Sequence, residues 1–192
     1  MKRLFGYAEI CSELGIPYLH HTIALDYRSG GLNPTERKKR FDIGSEYAIR
    51  LSEYAERLGV RTLIEDQGFV FNGADACLAL SELSEGKIGI VADFGNSLFV
   101  DEGPVEFIEK MGSRICHAHI KDYLYTTDYT DGSMKTQGGK YLTDIEIGMG
   151  DVDIDGSLTA LEKIGYTGAF SLEFGPSATE EEAIRTVSRL AY

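Results

Sequence analysis

Four residues able to bind a metal or move a proton each close a short apolar run: Glu65 after Thr-Leu-Ile, Asp93 after Gly-Ile-Val-Ala, His119 after Ile-Cys-His-Ala, and Glu173 after Ala-Phe-Ser-Leu. Each run has the length of a strand and is followed by loop and helix signals, so the four side chains are expected at the C-terminal ends of parallel strands. Strand ends are where α/β barrels keep their chemistry. Positions 65, 93, 119 and 173 leave intervals of 28, 26 and 54 residues, which fit two βα units and a third with a long insertion. Two Glu, one Asp and a neutral imidazole form a hard oxygen and nitrogen set, suited to one divalent ion: Mn²⁺ first, with Mg²⁺, Co²⁺ and Zn²⁺ as alternatives. A metal-dependent enzyme is the expectation.

The elements that must position these residues follow from periodicity. An amphipathic helix over 3–14 stops at Gly15, and a strand is expected over 17–23. Asn33-Pro34-Thr35-Glu36 reads as a helix start with Asn as N-cap, Pro at N1 and Glu at N3. Apolar residues from Tyr47 to Leu58 then recur at three- and four-residue steps until Gly59 ends the helix. Strands over 60–65, 87–93, 114–119 and 168–173 alternate with helices over 74–83, 104–111 and 155–164, and a last helix opens on a Thr179 and Glu182 capping box. Residues 122–150 show neither period and are expected to form one long loop, a lid over the site.

Composition narrows the partners. A formal charge of −12 over 192 residues argues against nucleic acid and anionic lipid, and suits a soluble protein that binds a cation. Cys11, Cys77 and Cys116 form no CxxC pair and lie in apolar patterns, as expected of reduced thiols in a cytoplasmic protein. No stretch reaches the ~20 apolar residues of a membrane span, and no signal peptide is recognised. The length implies a single domain, residues 1–192, short for a closed barrel of about 250 residues.

The segment Ile115-Cys-His-Ala-His-Ile-Lys-Asp122, with Gly148-Met-Gly-Asp-Val152 and Gly165-Tyr-Thr-Gly-Ala-Phe-Ser-Leu-Glu173, resembles the xylose isomerase-like TIM-barrel superfamily of sugar phosphate isomerases and epimerases. The resemblance covers nearly the whole chain. It implies an α/β, TIM (β/α)8 barrel-like fold that is N-terminally incomplete, with strands four to eight present. An open edge at the first strand would then invite dimerisation. It also implies a metal held by Glu65, Asp93, His119 and Glu173, and a small carbohydrate substrate. Ketose 3-epimerases usually carry a His where this chain has Asn96 and an Arg where it has Tyr125. Endonuclease IV-like members need further His ligands, one of them at the position of Asn96.

In the resembled isomerases and epimerases a divalent ion acts as a Lewis acid on a sugar-like carbonyl, and two carboxylates exchange protons with the enediolate. Glu65 and Glu173 are the expected catalytic bases, doubling as ligands. Asn96, Lys121 and His21 are the expected substrate contacts. Lys121 could equally pair with Glu173 or Asp122, and alternation lets only one of His20 and His21 point inward. His117 shares the parity of His119 and is expected to pack deeper. Gly148 and Gly150 could offer N–H groups to a phosphate, and Tyr123, Tyr125, Tyr129 and Tyr141 could shape a pocket or merely pack the loop. Two alternatives share the sequence evidence: dehydration of a polyol ketone, and a truncated barrel that binds metal or ligand without catalysis.

Overall fold

The computed structural model describes residues 1–23, 26, 32–175 and 178–190. In chain order these form α1 (Lys2–Glu13), β1 (Tyr18–His20), α2 (Pro34–Glu56), β2 (Arg61–Glu65), α3 (Ala74–Leu83), β3 (Gly89–Asp93), a short 3₁₀ turn (Asn96–Val100), α4 (Pro104–Met111) and β4 (Ile115–Ile120). There follow β5 (Tyr123–Thr126), β6 (Met134–Lys135), β7 (Tyr141–Asp144), α5 (Ile154–Lys163), β8 (Phe170–Leu172) and α6 (Glu180–Leu190). Both sequence-derived helix starts hold. Asn33 accepts the Glu36 N–H at 3.0 Å ahead of Pro34, and Thr179 and Glu182 cap each other reciprocally.

Five strands, all parallel, make the main sheet in the order β1-β2-β3-β4-β8. Alternation sends Leu19, Ile64, Ile90, Ala92, Ala118 and Ile120 toward the helices, where they join the apolar clusters. Tyr18, His20, Glu65, Asp93, His117, His119 and Ser171 take the other face. That face is concave: the rings of His20 on β1 and His119 on β4 lie 5.7 Å apart. In a flat sheet three strand spacings would separate them by roughly 14 Å. The sheet is therefore a curled half-barrel, as the chain length foreshadowed. Its two edge strands, β1 and β8, are three residues long each.

Two expectations need correction. The first strand ends at His20, so His21–Ile23 lie beyond it. Residues 122–150 hold an antiparallel three-stranded sheet of order β5-β7-β6. Tyr-Leu-Tyr-Thr and Tyr-Leu-Thr-Asp are strand-forming tetrapeptides, but too short for an alternation to stand out against the surrounding Gly, Asp and Thr. Tyr123 is buried against Phe99, and the Tyr125 hydroxyl donates to Asp101 at 2.8 Å, so these two tyrosines pack the insertion onto the barrel. Cys11 and Cys77 are buried, Cys116 is half-buried, and none is paired. Among the described residues no helix is long and apolar enough to cross a membrane.

Candidate metal centre

Strand register brings the four strand-end residues together. Asp93 lies directly across from His119, Glu65 pairs with Val91 two residues before Asp93, and Glu173 lies two residues beyond the Ser171 that pairs with His119. Glu173 extends the ladder past β8, its N–H donating to the Ile120 carbonyl at 3.0 Å. One donor atom from each of Glu65, Asp93, His119 and Glu173 lies within 4.8 Å of all the others. His119 Nδ1 sits 3.3 Å from Glu173 Oε2, 3.4 Å from Glu65 Oε1 and 3.9 Å from Asp93 Oδ2.

The donors are held from behind. Asp93 Oδ1 accepts the N–H groups of Gly95 and Asn96, each at 2.8 Å, which leaves Oδ2 facing the cluster. Gly95 must be glycine here, because a Cβ would lie 2.6 Å from the Tyr123 ring. Asn96 Nδ2 donates to Glu65 Oε1 at 2.8 Å, and Lys121 Nζ to Glu173 Oε1 at 2.8 Å. Fully buried Asp66 accepts the Asp93 N–H at 2.8 Å, tying the end of β2 to that of β3.

Asp93 Oδ2 and His119 Nδ1 are buried without a hydrogen-bond partner among the described residues. Such orphans are rare in proteins and costly. Here both face two further carboxylates, the arrangement a divalent cation would satisfy. Electrostatics agree. Burial, reinforced by Glu65 and Glu173, pushes the Asp93 carboxyl up to about 8, despite Lys121. Burial also opposes charge on His119, but the Glu173 and Glu65 carboxylates outweigh it and raise the imidazole to about 10. His119 and then Lys121 hold Glu173 well below the usual carboxylate range against its burial. Without a cation, protons must balance three clustered carboxyl groups.

The other expected site residues divide. Lys121 reaches the cluster through Glu173, and Asn96 reaches it through Glu65 and Asp93 while only 1% exposed. Of the adjacent histidines it is His20 that faces the cluster, its Nε2 3.4 Å from Glu65 Oε2. His21 donates its backbone N–H to the Leu63 carbonyl, its Nε2 is buried with no partner among the described residues, and burial lowers its pKa to about 4. Leu19 carried the signal: an apolar residue committed to the helices fixes His20 on the opposite face. His117 lies two residues before His119 on the same face of β4, half-buried rather than packed deep, and is bonded to Ser171 at 2.8 Å. Gly148 and Gly150 are not a phosphate nest, since both N–H groups donate to Asp122 Oδ2 at 2.8 Å. Asp66 gave no signal in the sequence beyond being a carboxylate beside Glu65.

A family model described as the xylose isomerase-like TIM barrel matches residues 1–191. Inosose isomerase of Bacillus subtilis (strain 168) is 27% identical over 195 residues, an overlap of 96% of this chain and 64% of that protein. Among solved structures, a xylose isomerase domain protein from Planctomyces limnophilus superposes with a TM-score of 0.74 at 20% identity, over 99% of this chain and 62% of that one. The IOLI protein with a bound zinc atom gives 0.72 at 24% identity, over 99% and 66%. A xylose isomerase-like TIM-barrel protein from Mycobacterium smegmatis in complex with magnesium gives 0.71 at 16%, over 97% and 64%. This chain thus spans somewhat under two thirds of the length of the first of these relatives. With five parallel strands, a strand-end cluster of three carboxylates and a histidine, and a match along 1–191, the chain belongs to the xylose isomerase-like TIM-barrel family.

Proposed function

We propose that this protein is a metal-dependent isomerase or epimerase acting on a sugar, a sugar phosphate or a related polyol ketone through an enediolate. The observation that carries the reading is the pair of orphaned, buried donors, Asp93 Oδ2 and His119 Nδ1, within a four-residue cluster that spans no more than 4.8 Å. Relatives named inosose isomerase and L-ribulose 3-epimerase support the reaction class. Glu65, Asp93, His119 and Glu173 would hold one divalent ion, Mn²⁺ first among Mn²⁺, Mg²⁺, Co²⁺ and Zn²⁺. Bound there, the ion supplies Lewis acidity, polarising a carbonyl and its neighbouring hydroxyl and making the intervening C–H acidic.

The protein's own groups do the rest. Glu65 on β2 and Glu173 beyond β8 stand at the two ends of the ligand arc, so a planar enediolate between them offers one face to each. For epimerisation one carboxylate takes the proton from carbon and the other, protonated from solvent beforehand, delivers its own proton to the opposite face, the first then releasing its proton to solvent; for isomerisation a single carboxylate carries the proton between neighbouring carbons. Lys121 keeps Glu173 ionised and ready as a base. Three unpaired thiols fit a cytoplasmic setting. The β1 edge, which pairs with no further strand among the described residues, with Tyr18 45% and Leu14 69% exposed beside it, fits association with a second copy. The reading is tested by incubating the protein with each of the four ions and a panel of inososes and ketoses in D₂O. Deuterium entering the carbon next to the carbonyl supports it, and no exchange with any ion and substrate counts against it.

A further inference from the structure

Asn96 touches two of the four donors at once. Its backbone N–H donates to Asp93 Oδ1 at 2.8 Å and its side-chain Nδ2 to Glu65 Oε1 at 2.8 Å. Its own carbonyl is held in turn, accepting from Asn72 Nδ2 at 2.7 Å. Asn72 is fixed by two more bonds, from its Nδ2 to the Gly68 carbonyl at 3.0 Å and from the Gly73 N–H to its Oδ1 at 2.7 Å. Asn96 is 1% exposed and Asn72 7%. A carboxylate only accepts hydrogen bonds, so the amide must turn its NH₂ toward Glu65. That bond commits the Asn96 side-chain NH₂ to Glu65.

We infer that Asn96, anchored by Asn72, is a positioning residue that fixes Glu65 and Asp93 as metal ligands. The chemistry suits the place. A neutral amide orients a carboxylate without a proton to give it and without a charge to repel the ion, whereas a lysine or protonated histidine would compete with the cation for the same oxygens. One residue bonded to both carboxylates also couples them: rotation of either strains a shared anchor. The inference rests on the metal reading proposed above, and its test separates the two.

The test is titration of the full chain with Co²⁺, followed by visible absorption and calorimetry, for the unmodified protein, Asn96→Ala and Asn72→Ala. Thermal unfolding in EDTA reports whether each variant folds. Asn96→Ala should weaken Co²⁺ binding roughly 10–100-fold, the range for loss of a group that orients a ligand, and should shift the cobalt ligand-field bands. Asn72→Ala should move both readouts the same way by less, and it carries the test should Asn96→Ala fail to fold. Unchanged affinity and bands in the folded variants overturn the inference, whether the only loss is thermal stability or, as for a substrate contact, a raised KM. An unmodified protein that binds no Co²⁺ overturns the metal reading, and the inference with it.

Discussion

Glu65 and Glu173 hold matching places at strand ends, yet one is buried and the other is partly exposed. Glu65 ends β2, a strand paired on both sides; it is 5% exposed, bonded to Asn96 and approached by His20. Glu173 follows β8, the outer strand; its side chain is 35% exposed, with Lys121 Nζ at 2.8 Å and His119 Nδ1 at 3.3 Å. Neighbouring strands and turns supply fixed partners, so interior strands set ligand geometry while an edge strand leaves its residue room to move. We therefore expect Glu65 and Asp93 to form the more rigid half of the site and Glu173 the more adaptable half.

Replacing each glutamate by glutamine gives the largest contrast. Both variants should lose roughly 10²–10⁴-fold in turnover, as for removal of a general base. Glu173→Gln should keep most of its metal, since its carbonyl oxygen can still accept from Lys121. Glu65→Gln should lose more, because an amide there sets its own NH₂ competing with that of Asn96. Equal metal contents would erase the distinction between rigid and adaptive halves.

Proton linkage sharpens the same contrast. An unfolded chain releases the Asp proton near 3.8 and the His proton near 6.5, whereas folded Asp93 holds its proton to about 8 and His119 to about 10. At these two groups the folded, metal-free protein holds protons that the unfolded chain has released, while His21, lowered to about 4, acts the other way between about 4 and 6.5. The contribution of the two groups to stability should therefore fall as pH rises, from 3.8 to about 8 through Asp93 and from 6.5 to about 10 through His119. Metal must displace those protons, so near pH 7 affinity should climb by about tenfold per displaced proton for each pH unit. Denaturant unfolding in EDTA and metal titration, each across pH 5–9, check both signs. Metal affinity independent of pH would remove His119 and Asp93 from the ligand set.

Lys121→Met should have a smaller effect, on the order of tenfold in turnover, because it removes one charge-assisted hydrogen bond worth roughly 1.5–3 kcal/mol, partly replaced by water at this half-exposed carboxylate. Metal affinity should barely change. A large loss of metal would mean that Glu173 is as rigidly placed as Glu65.

What could be read beforehand was the four strand ends. Glu65, Asp93, His119 and Glu173 were legible because each ends an apolar run of strand length. The groups behind them were not. Asn96 sits in Asp-Phe-Gly-Asn, where turn chemistry already explains an Asn, so its bond to Glu65 across 31 positions left no local trace. Asp66 is buried by tertiary packing alone. The antiparallel insertion escaped because its strands run two to four residues each, shorter than any period can reveal.

The central claim is that Glu65, Asp93, His119 and Glu173 hold one divalent ion. Elemental analysis of the protein after reconstitution with Mn²⁺, Mg²⁺, Co²⁺ or Zn²⁺ and removal of excess ion, beside a His119→Ala variant shown to fold, tests it most directly. The account predicts one ion per chain, lost in the variant. No bound ion from any of the four, or a stoichiometry that His119→Ala leaves unchanged, would contradict it.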